Sequence, residues 1–241
     1  MGLALLICAG FGASAQQRAP RPHLLLAPTT PLPREGTYIA NDDVTFVVDR
    51  RGDYVRLRFA DSDEVFYLSS EAAPMGGRVL KYDTGAVALQ VAGWGGVTLY
   101  TSEARNGLPA EYSDVVRNVD PVPVAAKDVK RFALKLSQEL SSRDDYAIGF
   151  AADWDKLEET DDLREMSCDA MRNATYALLE LGKTAKRRVV SDRLHIVRVI
   201  PGAKPDARFQ KGVLTLTYAP KEGPSARPSS LAIAEVLQAA F

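Results

Sequence analysis

The chain has 241 residues, of which 46% are hydrophobic and 25% charged, a composition typical of a globular protein. Thirty basic residues against 31 acidic residues give a formal net charge of −1. Domains that bind nucleic acid usually carry a basic excess, so this balance argues against nucleic acid as a partner.

The first fifteen residues have the pattern of a secretory signal peptide. An apolar run over residues 3–11 is followed by small residues at Ala13 and Ala15, which predicts cleavage after Ala15. The run is shorter than the roughly 20 apolar residues that span a bilayer. We therefore expect a periplasmic or secreted protein with no stable membrane span after cleavage of residues 1–15.

Residues 16–36 contain five prolines and predict an extended, poorly ordered lead-in. After cleavage the chain keeps one cysteine, Cys168, which excludes an intramolecular disulfide and a multi-thiolate zinc site. We expect no metal and no cofactor.

Short strands dominate the next part of the chain, from residue 37 to residue 119. The run "YVRLRF" (residues 54–59) alternates apolar and basic side chains, which is typical of a half-buried strand. Five similar runs share the region with it: "VTFVVD", "EVFYLS", "RVLKYD", "AVALQVA" and "VTLYT". Six short strands with close turns predict an antiparallel sheet that forms a sandwich or a small barrel.

A proline-marked linker at residues 120–128 precedes a region of different character. Apolar positions recur with helical spacing over residues 127–140, and a second helix is predicted over residues 161–186. The second helix is apolar around most of its circumference, so we expect it at the centre of a second domain, residues 129–241.

Three further strands and a last helix complete this second domain. The strands are "YAIGF", "RLHIVRVI" and "GVLTLTY", and Ser229 or Ser230 is placed to cap a helix formed by the last twelve residues. The predicted fold class is α+β, with an antiparallel β sandwich or small barrel followed by an α-β-α-β-β-α layered unit.

The glycine-rich stretch "GWGG" (residues 93–96) is the first candidate binding feature. A dinucleotide-binding loop needs a helix after its glycines, but here the strand "VTLYT" follows, which favours a turn between strands. Trp94 is then either an exposed stacking residue or a cover for the end of the sheet. A binding protein would show an exposed aromatic patch around Trp94 and Tyr100. Arg105 and Asn106 lie in the loop that follows and are further binding candidates.

An acidic stretch over residues 153–162 is the second candidate. Asp153 and Asp155 flank Trp154, a further binding candidate, and a hydrolytic pair of carboxylates is one interpretation. A calcium-binding loop fits poorly, because the alternation of oxygen ligands stops at Leu157. Acidic residues also stabilise helix N-termini, and this plainer interpretation is favoured.

The remaining reactive side chains do not form a recognisable motif. His195 is the only histidine after the lead-in, and strand alternation places it on a polar face. Cys168 lies in the apolar band of its helix, which predicts a buried, inert thiol.

Three stretches occur in an order that resembles a family of exported alphaproteobacterial proteins defined as a domain of unknown function. They are "GGVTLYT" with "NGLPA", then "MRNATYALLEL", then "GVLTLTY" with "ARPSS". The resemblance implies an envelope location and supplies no active-site residues.

The sequence thus favours an exported, non-catalytic binding or interaction module of the cell envelope. Its partner is either an envelope protein or a small ligand, and its oligomeric state stays open. The alternative is a carboxylate-dependent hydrolase of an envelope polymer, with Asp153 and Asp155 as acid and base.

Overall fold

Eight antiparallel strands close into a barrel in the first half of the chain. The structure is a computed structural model that describes residues 32–52, 54–113 and 119–241. The predicted signal peptide lies outside the described residues. The strands are β1 (Gly36–Ala40), β2 (Val44–Arg51), β3 (Tyr54–Phe59), β4 (Phe66–Ala73), β5 (Gly77–Lys81), β6 (Val87–Val91), β7 (Val97–Leu99) and β8 (Leu108–Ser113).

Each strand pairs with the next along the chain, and β1 closes the barrel by pairing with β8, where Tyr38 lies opposite Tyr112. Of the two predicted alternatives, sandwich and barrel, the structure is the barrel. Large buried side chains fill its interior: Tyr38, Phe46, Leu57, Phe66, Leu68, Leu80, Leu89 and Leu99. Both closing strands lie outside the six predicted from the sequence.

The end of the predicted lead-in takes part in the barrel. Strand β1 begins at Gly36, and the hydroxyl of Tyr38 donates to the carbonyl oxygen of Arg34 at 2.8 Å. The guanidinium of Arg34 lies 4.1 Å from the ring centre of Tyr112 in β8. The described part of the lead-in is therefore held at the closure of the barrel.

Arg56 shows how the linker returns along the outside of the barrel. It was expected on the polar face of β3, yet only 4% of it is exposed. Its guanidinium donates to both carboxylate oxygens of Asp49 on β2, at 2.7 and 2.5 Å, and to Asp120 of the linker at 2.6 Å. The linker thus covers Arg56, and the contacts of Asp120 with Arg56 and Arg51 hold it against β3 and β2.

The second half combines helices with a four-stranded sheet. Its helices are α1 (Val129–Asp144), α2 (Trp154–Glu159), α3 (Asp161–Gly182), α4 (Arg187–Arg193) and α5 (Ser230–Ala240). Its strands are β9 (Gly149–Ala151), β10 (Ile196–Pro201), β11 (Asp206–Gln210) and β12 (Val213–Tyr218). The sheet order is β11-β12-β10-β9, with β10 parallel to both neighbours and β11 antiparallel to β12.

Helix α3 packs against α1, α5, β10 and β12. Its buried residues include Cys168, Met171, Ala174, Leu178 and Leu181, which belong to the core of this half. The six elements predicted here all have a counterpart, and α2, α4 and β11 are additional. The helix predicted to reach residue 186 ends at Gly182, and α4 follows as a separate helix.

Candidate binding surface at the end of the barrel

The turns of the barrel lie at two ends, because consecutive strands run in opposite directions. One end carries the β3–β4 and β5–β6 turns, which contact the second half of the chain through Glu64 and Asp83. We call this the docked end. The opposite end carries the β2–β3, β4–β5 and β6–β7 turns, and we call it the distal end.

Trp94 lies in the β6–β7 turn at the distal end, and 86% of it is exposed. The turn is closed by hydrogen bonds from the amide of Ala92 to the carbonyl of Gly96, at 2.8 Å, and from Gly95 back to Ala92, also at 2.8 Å. Gly95 has φ +96, a conformation that favours glycine. The turn interpretation of "GWGG" agrees with this geometry, and Trp94 points outward instead of covering the sheet.

The indole ring of Trp94 lies across Gly96. A Cβ atom at that position would collide with the six-membered part of the ring. Gly96 therefore lets the side chain rest on the backbone of its own turn. Most of the ring surface stays in contact with solvent.

Met75 lies in the neighbouring β4–β5 turn and is 97% exposed. Its φ of 56° is in the left-handed region, which is uncommon for a residue with an unbranched apolar side chain. Pro74 and Gly76 flank it and suit a tight turn. Folding therefore gives no reason for a methionine at this position.

The turns that carry Met75 and Trp94 touch each other. They are adjacent because β5 pairs with both β4 and β6. A Cβ atom on Gly93 would lie 2.5 Å from the carbonyl oxygen of Met75 and 3.2 Å from that of Gly76. We call the pair Met75 and Trp94 the apolar tip.

Arginines lie behind the apolar tip. Arg78 is the second residue of β5, opposite Ala72 on one side and Val91 on the other. Arg50 and Arg51 end β2 at the same end of the barrel. Arg50 pairs with Glu35 at 2.9 Å, and Arg51 with Asp120 at 3.4 Å. The surface behind the apolar tip therefore carries both positive and negative side chains, with three arginines among them.

Three other predicted binding residues lie at the docked end. Tyr100, Arg105 and Asn106 belong to the connection between β7 and β8. The hydroxyl of Tyr100 donates to Gln90 at 2.9 Å, whereas Arg105 and Asn106 are exposed. Strand β7 separates Tyr100 from Trp94, so the structure does not bring the two aromatic residues into one patch.

Trp154, Asp153 and Asp155 lie in the second half, at the start of α2. Trp154 is half-buried against the core, and the two carboxylates are 51% and 91% exposed. A hydrogen bond from Lys156, 2.9 Å away, lowers the pKa of Asp153. A general acid needs a raised pKa, so this geometry lends the hydrolase alternative no support.

A polar cluster joins the barrel to the second half, and sequence analysis did not identify it. Ser229 donates to Asp83 twice, from its amide at 2.8 Å and its hydroxyl at 2.6 Å, and also caps α5. The amide of Ser230 donates to the Glu64 carboxylate at 2.8 Å. We call Glu64, Asp83, Arg227, Ser229 and Ser230 the docking cluster.

Arg227 connects the docking cluster to α3 and to the start of β4. It donates to Asp169 of α3 at 3.2 Å and to the carbonyl oxygen of Val65 at 3.3 Å, and it lies 5.1 Å from the ring centre of Tyr67. Beside it is a cavity of about 20 Å³, room for about one water molecule. The cluster is thus a structural joint, too small to receive an organic substrate.

Burial has the largest effect on the pKa of Glu64, a residue that is only 3% exposed. Desolvation raises its pKa to about 7, Arg227 and the two bonds from Ser230 act in the opposite direction, and Asp83 adds to the rise. The neighbouring Tyr82 has its pKa raised by burial and by Glu64. The junction therefore contains a carboxyl group that titrates near neutrality.

Cys168 and His195 lie in different environments. Cys168 is 1% exposed, and burial raises the pKa of its thiol to about 12. His195 is exposed and immediately precedes β10. A thiol with such a pKa is a poor nucleophile, in agreement with the inert role predicted for it.

Within residues 32–52, 54–113 and 119–241, no three His, Cys, Asp or Glu side chains are grouped to hold a metal ion. In the same ranges, no helix has the length and apolar character needed to cross a bilayer.

A wider cleft of about 450 Å³ lies where the end of α1 meets α4. Within it, Arg187 donates to the Asp144 carbonyl at 3.2 Å and to the Asp145 carboxylate at 2.9 Å. The guanidinium of Arg187 is therefore already bound by neighbouring groups of the cleft.

Comparison with known proteins places the chain in one family. Residues 25–237 match the family model described as "Domain of unknown function (DUF4908)", which is most of the chain. The chain belongs to the DUF4908 family. No curated protein matches it, and no solved structure does.

The match to DUF4908 runs through both halves of the protein. It includes the apolar tip at Met75 and Trp94 and the docking cluster up to Ser230. Two of the stretches that carry the sequence resemblance meet in that cluster, since Asn173 of "MRNATYALLEL" donates to the carbonyl of Pro228 in "ARPSS" at 2.9 Å. The barrel and the α/β half therefore belong to one family unit.

Proposed function

We propose that this DUF4908 protein is a non-catalytic binding module of the bacterial cell envelope that uses its apolar tip as the contact surface. The observation that carries the proposal is the side-by-side exposure of Met75 and Trp94, at 97% and 86%. Large apolar side chains at such exposure, on two turns in contact, are typical of an interaction surface.

The backbone supports the same interpretation. Met75 occupies a left-handed position where Gly or Asn is less strained, and Trp94 rests on Gly96 without being buried. Neither side chain adds to the core of the barrel. A role outside folding accounts for both.

The location of the module follows from the first fifteen residues. An apolar run ending in Ala13-x-Ala15 is the pattern of an exported protein, and cleavage after Ala15 releases the chain into the periplasm or the medium. Cell fractionation with N-terminal sequencing of the protein tests this. A mature protein that begins at Gln16 supports export, and an uncleaved cytoplasmic protein refutes it.

Co-sedimentation with washed envelopes of the source bacterium tests the binding role. The assay uses residues 16–241, which contain every described helix and strand. We expect Trp94→Ser and Met75→Asn each to reduce the sedimented fraction, because each removes one apolar side chain of the tip.

The matched control is Leu134→Ser. Leu134 is 57% exposed on α1, away from the barrel, so it tests whether loss of any exposed apolar residue has the same effect. We expect this variant to sediment as the wild type does. Equal sedimentation of wild type and Trp94→Ser would contradict the proposed function.

A further inference from the structure

The partner class of the apolar tip follows from its shape, area and charge. We propose that the tip contacts the headgroup region of a phospholipid membrane, inserting Trp94 and Met75 at the surface without crossing it. This inference rests on the proposed function, because it names the partner of the same surface.

The shape of the surface favours a deformable partner. The tip lies on two turns at the distal end of the barrel, and the residues next to Met75 and Trp94 along these turns are small: Ala73, Pro74, Gly76, Gly93, Gly95 and Gly96. Two tight turns with such small neighbours form a narrow edge at this end of the barrel. Such an edge enters a soft interface more readily than it matches a rigid surface.

The area of the surface is small for a protein partner. Stable protein–protein interfaces bury about 1,200–2,000 Å² in total. A tryptophan contributes on the order of 200 Å², and Met75 adds a smaller area. Two side chains of this size suffice for weak, reversible attachment to lipid, whereas a specific protein complex needs a broader surface.

The chemistry of the two side chains fits the membrane interface. Tryptophan is enriched there because its ring is apolar and its indole N–H prefers a polar partner. Met75 offers a flexible apolar chain that adapts to irregular surroundings. Trp94 lies across Gly96, and most of its ring is accessible to such an interface.

Charge favours an anionic lipid surface. Arg78 lies directly behind the tip, and Arg50 and Arg51 end β2 at the same end of the barrel. Glu35 and Asp120 partly offset the last two, and Arg78 has partners of its own, Ser70 among them. We therefore expect anionic headgroups to strengthen attachment moderately, with the apolar tip as the main contribution.

Flotation with pure lipid vesicles tests the inference. Residues 16–241 are mixed with vesicles of phosphatidylcholine alone or with added phosphatidylglycerol. We expect the protein to float with both, and better with the anionic mixture. Trp94→Ser should weaken binding by about tenfold, because one large apolar side chain is no longer buried in the membrane surface. Leu134→Ser should leave binding unchanged.

Tryptophan fluorescence identifies the inserted side chain. The chain has two tryptophans, so Trp154→Phe leaves Trp94 as the sole indole. Its emission should shift to the blue when vesicles are added, and lipids with brominated chains should quench it. Flotation that survives Trp94→Ser, or emission that stays unchanged, would overturn the inference.

The failure of this inference is distinguishable from failure of the proposed function. If the protein sediments with washed envelopes through Trp94 but ignores pure lipid, the tip binds an envelope protein or polymer, and the membrane inference alone is refuted. If it binds neither envelopes nor vesicles, both are refuted.

Discussion

The carbonyl oxygen of Met75 packs against Gly93 so closely that a single added Cβ would lie 2.5 Å from it. This contact joins the β4–β5 turn to the β6–β7 turn and places Met75 beside Trp94. The arrangement of the apolar tip therefore depends on Gly93, which has no side chain to contribute to binding.

Gly93→Ala should separate the two turns. The added methyl group must displace backbone of the neighbouring turn, so we expect a loss of about 1–3 kcal/mol in the free energy of unfolding, together with weaker envelope binding. Urea denaturation measures the first effect. Gly149→Ala is the matched control, because a Cβ there meets nothing within 4 Å; equal costs for the two variants would contradict the packing argument.

Arg56→Ala should destabilise the attachment of the linker to the barrel. The change removes a nearly buried guanidinium that binds Asp49 and Asp120, so the Asp49 carboxylate loses this partner. We expect the free energy of unfolding to fall by about 3 kcal/mol. Arg58→Ala on the same strand is the control. Arg58 forms a long pair, 3.9 Å, with the exposed Asp63, and we expect its loss to cost less than about 1 kcal/mol.

Glu64 should make the stability of the protein depend on pH. Burial raises its pKa from 4.5 to about 7, so between these values the folded protein holds a proton that the unfolded chain releases. The free energy of unfolding therefore rises as pH falls from about 7 toward 4.5, by about 3 kcal/mol for this group.

The variant Glu64→Gln isolates this effect, since an amide oxygen still accepts from the Ser230 amide and does not titrate. Relative to wild type, it should gain stability at about pH 8 and lose that advantage at about pH 5. Denaturation curves at both values measure the difference. A difference that is constant with pH would contradict the assignment.

Ser229→Ala should weaken the docking cluster at two points. The change removes the hydroxyl that bonds to Asp83 and the cap that accepts from the Ala232 amide. We expect a cost of about 1–2 kcal/mol. Ser229→Thr, which keeps the hydroxyl, should restore much of it; thermal unfolding at one protein concentration compares the three proteins.

Local sequence patterns predicted the helices and strands well, but they did not predict contacts between distant parts of the chain. Alternation identified the strands from residue 44 to residue 101, and helical spacing identified α1 and α3, although the predicted second helix ran past the end of α3. The closing strands were missed because "GTYIA" follows prolines and "LPAEYS" contains one. Strand β11 was missed because "DARFQ" is short and mostly exposed.

The candidate surface was predicted only in part. Trp94 was recognised in its turn, but its exposure depends on neighbours that the sequence does not show to be close. Met75 was missed, although an apolar side chain inside the turn "APMGG" is a usable signal. The docking cluster was missed because its bonds join residues 146 and 166 positions apart.

Protection of Met75 from oxidation tests the central claim most directly. Met75 is 97% exposed, whereas Met166 and Met171 are 8% and 0% exposed and serve as internal controls. With mild peroxide and mass spectrometry, Met75 should oxidise first in the isolated protein and several-fold more slowly in protein bound to envelopes. If Met75 oxidises at the same rate in the bound protein, the apolar tip is not the contact surface.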